Sequence, residues 1–499
     1  MPSHRRQQFR STVRHLLAVE SLEARAMLAG NVTASVTRGT LNIKGDAQAN
    51  SIIISQTPSV AGGFTITPVD GSSTTINGGT IAVNLTGVVR VTIKMEGGND
   101  QVGIGNNVEF VHELFATLAE EEEEGSSLLT VVDEEDYPHD EDPEILITTF
   151  FGGDDEEGFD IEDPDFSPQE LVQLPTRITG STVIDLGDGD DTLITMLRST
   201  NNLDIDGGKG SDTILSMITS VGNLTIDADP VRGAGMGDDM VAVVLSNVRG
   251  NLAITTEGGD DGVLVLGTKV TNFGMNAGGP VSGQLTDHDL VAISSLYAAD
   301  NVGVQTEVGD DGIYIDDLVA DNVRIIAGDG DDEVEITGAA LVSLLVDTST
   351  GEDWVSLHSG EDGFSPLVIR RNLTINTGAD DDQLEIEGGL LGLYVGGILD
   401  VRTGAGDDEL LLYNVSVGKT ANIEMDAGND AAIIDSLDVR HEMTISLSAG
   451  NDVLSVRNLS AKKYNVRGGT GNDIIHNLGD HEDPFTWSQF EHNDNGQQG

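Results

Sequence analysis

The stretch NLDIDGGKGSDTILSMITSVG, Asn202–Gly222, holds three strand signals and one turn. Leu203 and Ile205 alternate with aspartates, as a half-buried strand does. Gly207, Gly208 and Gly210 then crowd against Asp212. Glycine is costly inside a regular element, so three together mark a turn where φ goes positive or two backbones come close. A second apolar run opens at Thr213, and a short third one lies near Val221. Runs this short are not stable alone and must stack on copies of themselves.

The copies are present. Taking the aspartate just before each second run gives Asp191, Asp212, Asp239, Asp261, Asp289, Asp311, Asp332, Asp353, Asp382, Asp408, Asp430, Asp452 and Asp473, with a base interval of 21 or 22 residues and a few intervals lengthened to 26–29. A β-sandwich would repeat turn signals every 8–12 residues or so, without long-period identity. The expected fold is therefore all-β, an elongated right-handed parallel β-helix with coils of about 21–22 residues and a rise of about 4.8 Å per coil.

The array is expected over residues 177–477. Upstream, TLNIKGDAQANSIIIS (Thr40–Ser55) and VTIKMEGGNDQVGI (Val91–Ile104) repeat the strand–turn–strand order with Asn50 and Asp100 at the turn, so residues 31–106 read as degenerate first coils and a cap. Asp100 and Asp191 are 91 residues apart, one period plus an excess of 70. That excess is assigned to residues 107–176, a disordered acidic insertion holding Glu120–Glu124 and six of the twelve phenylalanines. Such a mixture suits either a solvated loop or a segment that folds on a partner. Residues 478–499 read as a polar tail.

Lys+Arg number 25 against 85 Asp+Glu, a formal charge of −60. Nucleic acid and anionic membrane both require a basic footprint, so cations are the natural partners. No apolar run reaches the roughly 18 residues of a membrane span. Cysteine is absent, as are H-E-x-x-H, G-x-S-x-G and Walker motifs.

The turn grammar resembles the nine-residue G-G-x-G-x-D-x-U-x repeat of RTX, or haemolysin-type, calcium-binding proteins. Gly207, Gly208, Gly210, Asp212 and Ile214 match it fully, as do Gly468, Gly469, Gly471, Asp473 and Ile475. Gly187, Gly189, Asp190 and Asp191, then Gly328, Gly330 and Asp332, then Gly404, Gly406 and Asp408 lack only the first glycine. Looser copies contribute Gly237 with Asp239, Asp261, Asp311, Asp382, Asp430 and Asp452. The resemblance implies that turn carbonyls and aspartates from successive coils hold several Ca²⁺ ions, a hard cation that takes oxygen ligands. The competing reading is that the aspartates only hydrogen-bond the turn backbone. RTX rolls carry the motif in both turns of a shorter coil, whereas one turn per coil carries it here, and Glu257, Glu307 and Ser448 stand where a glycine belongs.

At the N-terminus, Leu22, Glu23, Arg25, Leu28 and Ala29 resemble the segment found on many large secreted proteins of planctomycete bacteria, so residues 1–30 are expected to direct export. Together these features predict an extracellular or cell-surface calcium-binding scaffold, structural or adhesive, whose partner is a surface polysaccharide or another surface protein. A β-helical polysaccharide lyase or glycoside hydrolase is the alternative, for which Arg370, Arg371, Arg402, Arg440, Lys462, Lys463 and Arg467 enrich the C-terminal third in positive charge; the plainer account is that they balance a very acidic rod.

Overall fold

The computed structural model describes residues 30–57, 59–106, 175–229, 237–278, 288–360, 366–479, 487–490 and 492–493. The export segment up to Ala29, insertion residues 107–174 and most of the polar tail lie outside the described residues. Among the described residues every regular element is a strand. The chain forms two compact units, Met1–Asn251 with Gly262–Thr268, and Leu252–Asp261 with Lys269–Gly499.

From Arg90 onward in the N-terminal unit each strand pairs in parallel with the third strand after it. Thr182–Asp188 pairs with Leu203–Lys209, which pairs with Leu224–Asp227. Thr192–Thr195 pairs with Thr213–Met217, then Met240–Val244, then Gly262–Leu266. The short third strands follow suit, Leu197–Ser199 with Ser220–Val221 and then Asn247–Val248. Each repeat thus gives a first, a second and a short third strand. Insertions between aspartates leave the pairing intact: Thr213 faces Met240, 27 positions on, without slippage along the strand.

Two pairings place the acidic insertion. Val91 faces Thr182 and Gln101 faces Thr192, so strands 91 residues apart are direct neighbours. Thr195 and Leu197 are separated by one residue, while their partners Ile104 and Thr176 are separated by 71. The excess is again 70, and the segment leaves the array at the bend between second and third strands. Upstream, Thr40–Lys44 and Ser51–Gln56 lie parallel to Arg90–Lys94 and Gln101–Ile104. Antiparallel pairs enter there, although Asn31 and Val32 still lie parallel to Thr75 and Ile76. Asn31–Thr37 pairs antiparallel with Thr40–Lys44, and Phe64–Pro68 pairs antiparallel with both Ser51–Gln56 and Val83–Leu85.

The C-terminal unit is wound the same way. Its second strands run in one parallel series from Gly312 through Glu333, Trp354, Gln383, Glu409, Ala431 and Val453 to Ile474. First strands alternate as the sequence predicts, with Leu373 and Ile375 buried and Thr374 half-buried. Each fully buried Leu or Ile is worth roughly 1.5–3 kcal/mol, and the stacking of neighbours is what buries it. Second strands of the N-terminal unit depart from simple alternation. Gly262–Leu266 is buried on both faces, and so are Leu215 and Met217 beside Ile214 and Ser216.

Candidate functional site

The six turn residues G-G-x-G-x-D stack in register from one repeat to the next, Gly187 on Gly208 and Gly378 on Gly404. At the second position Gly187, Gly208, Gly328, Gly404 and Gly469 take φ between 99° and 128°. The sequence departures keep this shape: Glu257, Glu307 and Ser448 adopt φ of 71°, 83° and 66°. A non-glycine residue there costs roughly 1–2 kcal/mol, which the stacked neighbours must offset.

At the fourth position the requirement is room. A Cβ on Gly330 would lie 1.9 Å from the Gly309 carbonyl oxygen, and one on Gly471 would lie 1.4 Å from that of Gly450. Gly189, Gly210, Gly237 and Gly406 are equally confined by the preceding turn. The first glycine answers to the aspartate itself, since a Cβ on Gly207 would sit 2.5 Å from Asp212 Oδ2 and one on Gly468 would sit 2.7 Å from Asp473 Oδ2. All the glycines of the motif are thus accounted for by stacking. Gly208→Ala, whose Cβ would fall 1.5 Å from the Gly187 oxygen, is expected to lower stability by about 2–3 kcal/mol in a denaturant titration. Gly71→Ala, with nothing within 4 Å, should cost less, about 1 kcal/mol for its φ of 82°.

The sixth-position aspartates form a buried column in each unit, every one of them 3% exposed or less. The backbone N–H of each donates to Oδ1 of the same residue in the next repeat. In the N-terminal unit the series runs Asn50 to Asp100 (2.6 Å), Asp100 to Asp191 (2.6 Å), Asp191 to Asp212 (2.8 Å) and Asp212 to Asp239 (2.7 Å). In the C-terminal unit it runs from Asp261 through Asp289, Asp311, Asp332, Asp353, Asp382, Asp408, Asp430 and Asp452 to Asp473, at 2.7–3.2 Å. The carboxylate stands where a β-ladder would present a carbonyl, so a buried amide is satisfied that stacking alone would orphan. The aspartate's own carbonyl accepts the next residue's amide one repeat on, as from Thr213 N–H to Asp191 at 2.8 Å.

The second oxygen is what the ladder leaves over. Oδ2 of Asp100, Asp191, Asp212, Asp332, Asp430 and Asp452 is buried and accepts no hydrogen bond. Burial accordingly pushes Asp332 up to about 9, Asp100, Asp212 and Asp430 to about 8, Asp191 and Asp353 to about 7, and Asp382 and Asp452 to about 6. Asp408 is raised too, and in each case the amide donated from the preceding repeat pulls the other way. Desolvation is the largest effect, ahead of repulsion from the neighbouring aspartates of the column. Thr348 Oγ1 donates to Asp353 Oδ2 at 2.5 Å. Thr377 and Thr403 stand five residues before Asp382 and Asp408 in the same way, a T-x-x-x-x-D signal the sequence reading passed over.

Asp190 does not belong to this column. Fifth-position residues build a second, solvent-exposed ladder of opposite sense, in which each backbone N–H donates back to the side chain of the preceding repeat. Ser211 N–H reaches Asp190 Oδ1 at 3.2 Å, Asp331 reaches Asp310 at 3.0 Å, and Asn451 reaches Asn429 at 3.0 Å. Among the described residues no three acidic or histidine side chains converge on a point a metal would fill. No protein-family model, curated protein or solved structure matches this chain.

Proposed function

We propose that this chain is a right-handed parallel β-helix of 21–22-residue coils that serves, outside a bacterial cell, as a non-catalytic structural or adhesive scaffold, and that its aspartate columns exchange protons for Ca²⁺. The observation that carries the reading is the column at Asp191 and Asp212, buried carboxylates with one oxygen engaged in the fold and the other accepting no hydrogen bond. Oxygen-only donors suit calcium. The donors of one step are two carboxylates, short of the six to eight oxygens calcium takes, so ions at every repeat are not part of the proposal. The full motif at Asp212, next to Asp191, is the first site proposed.

Calorimetric titration with Ca²⁺ against Mg²⁺ at pH 7.5, in buffers of different ionisation enthalpy, tests this. Calcium uptake should release protons, because carboxyls held near pKa 7–8 must ionise to bind it. Asp212→Asn should weaken binding more than Asp289→Asn, which lies outside a full motif. Absence of binding heat, or equal effects of the two variants, would leave a scaffold held by hydrogen bonds alone.

A further inference from the structure

From Arg370 onward in the C-terminal unit, the bend that follows the third strand carries a file of cations, broken only at Gly396 and Gly397, on an otherwise acidic chain. Arg370 and Arg371 follow Leu367–Ile369, and Gly396 and Gly397 follow Leu393–Val395. Lys419, then Arg440 with His441, then Lys462 occupy the bends after these. The backbone stacks them directly: Gly397 N–H donates to Arg371 O at 2.6 Å, Lys419 to Gly397 at 3.0 Å and His441 to Lys419 at 3.0 Å. Val439 then faces Ala461 and, past a bulge, Glu442 faces Lys463, which sets Lys462 opposite the pair Arg440 and His441. From Arg371 to Lys462 is four steps, roughly 19 Å at the spacing between strands.

Arg370, Arg371, Lys419, Arg440 and Lys462 are all exposed, and among the described residues none has a carboxylate within ion-pair distance. Three other cations of the same unit are held, Arg402 by Glu424, Arg457 by Asp435 and Lys463 by Glu442, while Arg324 and Arg467, outside the file, are exposed. The adjoining third-strand row runs Val368, Tyr394, Ser416, Asp438 and Ser460, so Asp438 borders the file on that side, and Glu442, paired with Lys463, follows His441 on the other. Tyr394 is 48% exposed and Tyr413, one bend away, is 44% exposed, each offering an apolar ring with a polar tip.

We propose that this file, Arg370, Arg371, Lys419, Arg440 and Lys462, binds a linear anionic polysaccharide, with Tyr394 and Tyr413 as flanking ring surfaces for its sugars. A single line of positive charge matches a thin chain carrying one anionic group per sugar or so. At a Debye length of about 8 Å at physiological salt a thin chain on the file feels chiefly its immediate neighbours, among which Asp438 and the Lys463-paired Glu442 are carboxylates. A duplex or a bilayer is broad, and would bring the acidic flanks into contact as well; duplex DNA also presents a charge every 1.7 Å or so, far denser than the file. The inference rests on the scaffold reading in one respect, since the file exists only while the repeats are stacked.

The experiment measures binding of the full chain in 1 mM Ca²⁺ to dextran sulfate, uncharged dextran and a short DNA duplex, at low and raised sodium chloride. Dextran sulfate should bind, dextran should not, and the duplex should bind more weakly than dextran sulfate. Arg371→Glu/Lys419→Glu/Arg440→Glu should lose roughly tenfold or more in affinity and flatten the salt dependence, while Arg324→Glu, outside the file, should match the parent. The pair Lys419→Gln/Arg440→Gln gives the same readout should the reversal unfold. Retained affinity in the variants, or tighter binding to the duplex, overturns the proposal. The far-ultraviolet spectrum and melting midpoint of each variant separate loss of the site from loss of the scaffold.

Discussion

Acidifying this protein from pH 9 to pH 5 in EDTA is expected to raise its melting midpoint, the reverse of ordinary acid denaturation. Nine aspartates of the columns are raised from an ordinary value of 3.8 in the folded chain, eight of them to between about 6 and about 9. The folded state therefore binds more protons than the unfolded one across that window. Stability from these groups is complete below pH 4 or so and is lost as pH climbs through 6 to 9. One pKa unit is worth about 1.4 kcal/mol, so nine raised carboxyls give a change on the order of 10 kcal/mol even at one unit apiece. Screening of surface charge works in the same direction and is removed by repeating the melts in 0.5 M sodium chloride. Calcium should flatten the slope by taking the place of the protons. A midpoint that falls on acidification between pH 9 and pH 5 would show the columns to be ionised without cost.

Asp430→Asn is expected to exceed the parent by about 1–2 kcal/mol at pH 5 and by several kcal/mol at pH 9. Asp430 Oδ1 accepts the Asp408 amide at 3.1 Å and burial lifts its carboxyl to about 8. An asparagine keeps the acceptor and cannot ionise, so it imitates the protonated acid at every pH. Asn50, whose amide donates to Asp100 Oδ1, shows that the side chain fits the sixth position. Asp430→Ala removes the acceptor and strands the Asp408 amide, which should cost about 1–3 kcal/mol relative to the asparagine variant, where charge is not in question. Chemical denaturation of the three proteins at the two pH values measures both effects. An asparagine variant less stable than the parent at pH 9 would mean that the negative charge, through a bound cation, is what holds the turn.

The repeat was legible because its period survives insertion. Intervals of 27 and 29 residues between aspartates would defeat a strict search, yet Thr213 still meets Met240 and Trp354 still meets Gln383. Glycine spacing gave the turn, and alternation gave the first strands. The burial of Leu215 and Leu264 was not legible, since alternation assigns one face of a strand to solvent and says nothing of what covers it. Nor was the division of labour between adjacent acids. Asp190 and Asp191 are chemically identical and neighbours in sequence, and only the pleat sends one to solvent and the other inward. The file of cations was visible as composition, but the gap from Arg371 to Arg440 hides that these residues share one bend.

The bend at Gly105 shows how little this architecture charges for guests. Closing a loop costs about (3/2)RT ln n, so lengthening one from 21 to 91 residues adds about 1.3 kcal/mol, less than one buried leucine returns. Neighbouring strands meet across that bend in the same register as anywhere else. Each bend between second and third strands is therefore a port into which a foreign domain with adjacent ends can be spliced, and the number of ports grows with the number of repeats.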